Sequence, residues 1–162
     1  MTDDHRTAAH RATEFVYGTI AVLIVIAGID ISGGRASAAP AIILVAAIAT
    51  WLAHAYAETL GLQLTTGRST SRADIGRALM GSFPIVLAAL PATAVSVGAL
   101  LGFWSTRTSI VLANGLALLV LAAAGWFAAR GAGDTRLQSL ASALVSTSIG
   151  LAIVAMELLV HY

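Results

Sequence analysis

Five long apolar runs alternate with short polar segments along this chain. Apolar character that continues over about twenty residues marks a helix that meets lipid or other helices all round, unlike the one-sided stripe of a soluble amphipathic helix. The pattern predicts helices at about 15–31, 41–62, 78–103, 108–129 and 137–160. The first run, Phe15–Ile29, is short: its fifteen residues rise roughly 22 Å against a hydrocarbon layer of about 30 Å. Glu14 and Asp30 are therefore expected at its two interfaces, with local bilayer thinning or snorkelling taking up the difference. The polar stretch Met1–Thr13 before it reads as a short tail or an interfacial turn of helix.

A rival reading makes the same region a signal peptide. Arg6 and Arg11 would be its basic segment, Phe15–Ile29 its apolar segment and Ala36-Ser37-Ala38 its cleavage site. Against this, the apolar segment ends several residues before that site. Further along, Ile31–Ala39 is a Gly/Ser/Ala loop, and Pro40 suits the first turn of the second helix, where its missing N–H removes no hydrogen bond. The third helix carries Pro84 and Pro91, seven apart on one face, each expected to kink it. Trp104–Arg107 and the glycine-containing turn Arg130–Arg136 are tight connections.

Composition agrees with a bilayer as solvent. The chain is 58% hydrophobic and 10% charged, with a mean hydropathy of +0.88, where soluble domains are about a quarter charged. The expected fold is all-α: a polytopic membrane protein with five transmembrane helices in one bundle, residues 1–162 forming a single transmembrane domain. All nine basic residues are arginine, which with the abundant Ala and Gly points to a GC-rich, bacterial genome. Cysteine is absent, which excludes disulfides, thiolate metal sites and cysteine nucleophiles. A net charge of +1 provides no field for nucleic acid.

Arginine placement predicts orientation. Arg6, Arg11, Arg68, Arg72, Arg77, Arg130 and Arg136 fall on one side, and only Arg35 and Arg107 on the other. The positive-inside rule then puts the N-terminus in the cytoplasm and the C-terminus outside, in the cell's inner (plasma) membrane. Small residues at every fourth position let helices approach closely. Ser142, Ser146 and Gly150 form one such seam, Ala88, Ala92 and Ser96 another, and Gly98 with Gly102 a third. Two small faces on the third helix would let it touch two neighbours, one of them in a second subunit or both within one bundle.

The costly residues lie in WLAHAYAETLG, residues 51–61, where His54 and Glu58 share a helix face inside an apolar run. If the first two helices are neighbours, Tyr17 joins them, and the three would bind a cation or relay a proton. The structural alternative has Glu58 snorkelling to the interface and His54 bonded to a backbone carbonyl. Asn114 is expected in a helix-to-helix hydrogen bond, and Glu157 at the outer interface. Trp51 lies mid-helix and is expected to pack internally. Enzyme readings fare poorly. There is no Gly-x-Ser-x-Gly elbow, no His-Glu-x-x-His, no glycine-rich phosphate loop and no two-metal acidic cluster.

Five helices, a first beginning FVYGTIAVLIVIAG, a second ending AHAYAETLG, a proline-bearing third, and a Gly/Arg turn leading into RLQSLASALVSTSIG together resemble the vacuolar iron transporter family over most of the chain. The resemblance implies homodimers of five-helix subunits that export ferrous or related divalent ions, coupled to protons. It puts Glu58 where the family has a glutamate near the end of its second helix. Tyr17 stands where the family has an acidic residue before the glycine of its first helix, and His54 where it has a methionine. Only Thr65–Asp74 stands in place of the family's glutamate-rich cytoplasmic insertion. On this resemblance His54 would replace methionine as a ligand, since imidazole suits Fe, Zn or Mn. Two functions are thus expected: a dimeric, transporter-like protein handling a cation, with a divalent ion possible, or protons, or an accessory subunit that buries its seams in a larger complex and has no chemistry of its own.

Overall fold

Why the first helix is long enough to cross a bilayer is visible at its N-terminus. The computed structural model describes residues 3–29 and 35–160, and its first helix, α1, runs Asp3–Ala27. The polar segment before Phe15 is rich in alanine, the best helix former, so it simply extends the apolar run. The result is 25 residues, or roughly 37 Å of helix, and the expected shortfall disappears. Asp30, and with it the interface assigned to it, lies outside the described residues, as does the side chain of Glu157.

A 3-10 turn, Arg35–Ala38, leads into α2, Ala39–Thr66, with Pro40 in its first turn. Gly67 ends α2 in the left-handed region at φ 64°, its N–H donating to Gln63 O at 2.9 Å. The expected third helix is two helices. α3, Arg72–Ser82, begins six residues earlier than expected, because Ser71 and Asp74 form a reciprocal capping box. α4, Pro84–Leu100, begins at the proline. Pro84 therefore opens a helix instead of kinking one from within, while Pro91 does lie inside α4. Phe83 between them keeps helical angles, φ −54° and ψ −30°, and Arg72–Leu100 remains one apolar passage. α5, Thr106–Gly131, is capped by Ser105, whose hydroxyl accepts from Thr108 N, and α6 spans Arg136–Val160.

All described regular structure is helical, and five passages are long and apolar enough to cross a membrane. α1 is the central post: Val22, Leu23 and Ile26 are buried, and it touches each other α-helix. Its approach to α4 depends on Gly18, where an added Cβ would lie 2.7 Å from both Cα and O of Ile85. Ala88, Ala92 and Ser96 on α4 are buried. α6 packs mainly on α5. A Cβ on Gly125 would meet Ser146 Oγ and Ser142 O, and one on Gly150 would meet Leu118 and Leu121. The Ser142–Ser146–Gly150 stripe thus faces a helix of its own chain. Gly98 and Gly102 do not form a helix seam. The Trp104 indole folds back over Gly98 and donates to Val95 O at 3.1 Å, while Gly102, at φ 82°, lies beyond the end of α4. Outward-facing Val45, Leu52, Leu119, Leu144 and Leu151 are exposed, as lipid-facing side chains must be.

Candidate functional site

α1 and α2 run antiparallel, so the start of one lies beside the end of the other, at the end of the bundle that carries Arg11, Arg68, Arg72, Arg77, Arg130 and Arg136. Here Glu14 is buried, 4% exposed. A carboxylate so far removed from water is costly unless it is fully partnered. Among the described residues its partners are two imidazoles. His54 Nε2 lies 3.1 Å from Oε2, and His10 Nδ1 lies 3.8 Å from Oε1. His10 and Glu14 are four residues apart on one face of α1, and α2 brings in His54 from the side. The 3.1 Å contact is within ion-pair distance, and Glu14 Oε2 has no hydrogen-bond partner.

The surrounding packing holds the two helices in register. Tyr17 stacks at a tilt on His54, ring centroids 5.4 Å apart. His10 covers Gly81 on α3, its Nε2 3.5 Å from where a Cβ would stand. Trp51, one turn before His54, packs edge-on against Phe83 at 5.8 Å, and its indole N–H donates to Leu79 O at 2.9 Å. That bond ties α2 to the turn just before the proline break. Trp51 is therefore an internal packing residue.

Of the three residues singled out from sequence, Tyr17 and His54 come together and Glu58 does not join them. Glu58 is exposed and lines an open groove between α2 and α3 with Thr59, Thr65, Asp74 and Arg77. It has no ion-pair or hydrogen-bond partner among the described residues. The geometric reason is the helical step. His54 points at α1, while Glu58, one turn on, faces α3. The carboxylate that His54 meets is Glu14. Sequence reasoning placed Glu14 at the interface because the apolar run begins one residue later. One signal was present: the spacing His-x-x-x-Glu occurs twice, at His10–Glu14 and at His54–Glu58.

Asp74, the neighbouring buried acid, is satisfied from all sides. It accepts from Arg68 Nη1 at 2.9 Å, from Arg77, from Ser71 N at 3.0 Å and from Ser71 Oγ at 2.7 Å. It locks the α2–α3 connection and offers no free lone pair in a useful direction. Asn114 is the other departure from expectation: its Oδ1 is buried without a hydrogen-bond partner, so the interhelical bond is not formed through that atom.

No family model, curated protein or solved structure matches this chain. Its chemistry therefore has to be argued from the site. The side chains of His10 and His54 are 47% and 33% exposed, so both connect the buried carboxylate to water. Among the described residues no three or more His, Cys, Asp or Glu side chains are grouped closely enough to hold a metal, and the carboxylate beside His54 is that of Glu14.

Proposed function

We propose that this integral membrane protein takes up and releases a proton, or a small cation in its place, at Glu14, as the working site of a transporter-like homodimer. The observation that carries this reading is a carboxylate 4% exposed with His54 at 3.1 Å and one oxygen lacking a hydrogen bond. Ionisable groups within membrane segments are expensive and concentrate where ions or protons move. With seven arginines against two, the Glu14 end faces the cytoplasm of a cell whose inner membrane holds the protein. The site would load from that side through His10 and His54.

Reconstitution tests it. Proteoliposomes with a trapped pH dye should respond to an imposed gradient, and Glu14→Gln should reduce the response to that of empty vesicles while the protein stays monodisperse. An undiminished response from Glu14→Gln overturns the proposal.

A second reading, an accessory subunit without chemistry of its own, is favoured by one observation. Openings in the core beyond Glu14, lined by Ile26, Ile43 and Ala113 or by Val22, Ala92 and Ala117, hold about 10 Å³ each, room for about one water. Purification from native membrane separates the two readings. A stoichiometric foreign partner supports the accessory role, and a clean homodimer supports the transporter-like one.

A further inference from the structure

The connections between helices differ in what they expose. Residues 67–71, between α2 and α3, and 132–135, between α5 and α6, are glycine and polar residues apart from Ala132. Residues 101–105, between α4 and α5, are Leu-Gly-Phe-Trp-Ser, with Leu101 68% and Phe103 72% exposed. In water that exposure would be costly. The local geometry explains why Phe103 stands out. Gly102 is at φ 82°, its N–H donates to Ala99 O at 3.1 Å, and Phe103 N–H donates to Gly98 O at 3.0 Å. A helix stop of this kind commonly packs the residue after the glycine back onto the last turn of the helix. Here the receiving position is Gly98, which has no side chain, and the Trp104 indole already covers it. Phe103 is left outside, its ring centroid 6.2 Å from that of Trp104.

We propose that this turn inserts into the interfacial layer of the bilayer, at the end of the bundle opposite Glu14, and anchors the α4–α5 hairpin there. Two observations beyond exposure support it. The turn joins two membrane-crossing passages, so a bilayer surface is the neighbour that the topology supplies. Its polar groups are also met from within. Leu101 N–H donates to Val97 O at 3.0 Å, the Trp104 indole N–H donates to Val95 O at 3.1 Å, and the Ser105 hydroxyl caps α5. A turn whose donors are satisfied internally can enter a medium poor in water. Aromatic rings are favoured at the interfacial level. Arg107, exposed in the first turn of α5, has the length to reach headgroup phosphates beside them. The inference is independent of the role given to Glu14.

The chain has no cysteine, so a single introduced cysteine can carry a nitroxide label. The full chain with Leu101→Cys or Phe103→Cys, in phosphatidylcholine liposomes, is compared with Ser69→Cys, exposed in the polar α2–α3 connection. Relaxation of each label is measured with oxygen, which concentrates in lipid, and with a water-soluble nickel chelate. At positions 101 and 103 the nickel effect should be several-fold weaker than at position 69 and the oxygen effect stronger. Adding Phe103→Ser to the Leu101→Cys protein should raise nickel access at Leu101→Cys toward that at Ser69→Cys. Equal nickel access at all three positions would put the turn in water and overturn the proposal. Exclusion of both reagents overturns it as well, since the turn would then be covered by protein. So does nickel access at Leu101→Cys that does not respond to Phe103→Ser.

Discussion

Two carboxylates are buried at the same end of this bundle, Asp74 at 3% exposure and Glu14 at 4%, and their surroundings differ in kind. Asp74 sits among two guanidinium groups, a hydroxyl and a backbone N–H. Glu14 has two imidazoles and one oxygen without a hydrogen bond. Guanidinium stays charged throughout the accessible pH range, so Asp74 is held in one state. The partners of Glu14 are half-buried or exposed imidazoles that reach water. A saturated buried acid stabilises structure, and exchange is the role we propose for the unsaturated one.

The comparison can be broken by moving α1. Gly18→Val forces a branched side chain against the Ile85 backbone and should destabilise by about 1–3 kcal/mol or more. The thermal midpoint of the detergent-solubilised protein measures the loss. The Asp74 lock, which does not touch α1, should survive in the folded fraction.

Asp74→Asn comes next. It keeps the acceptor for Ser71 N and loses the charge that holds Arg68 and Arg77, so the midpoint should fall by several degrees. Proton response per folded molecule should remain. An unchanged midpoint would show that the lock is not structural.

Glu14→Gln should invert that pattern. Removing a buried charge with too few partners relieves its desolvation cost, so the midpoint should hold or rise while the proton response vanishes. A large fall in stability would instead make Glu14 a second Asp74.

The smallest effect is expected from Glu58→Gln, which alters an exposed, unpaired group and should leave both midpoint and proton response within error. Loss of the response there would return the site to the α2–α3 groove.

How legible this was in the sequence varies by feature. The five apolar passages were readable because hydropathy is local, and each long run must span whatever its neighbours do. The start of α1 was misplaced because the alanines before Phe15 carry helix propensity without hydropathy. The single helix expected at 78–103 begins earlier, because Ser71 and Asp74 set a start that apolar counting does not register, and it breaks where Pro84 opens α4. His54 was recognised as an unusual expense, and its partner was not. The partner lies on another helix forty residues away in sequence, and the nearer glutamate at the right spacing drew the inference instead.

The sequence by itself determined the solvent, the number of crossings and the scarcity of charge, because each follows from the composition of contiguous segments. Only the tertiary structure decided which scarce charges meet. Whether a side chain four residues along a helix faces a neighbour or open space depends on where that neighbour crosses. Here α2 lays His54 beside Glu14 of α1 and Glu58 beside Asp74 and Arg77 of α3.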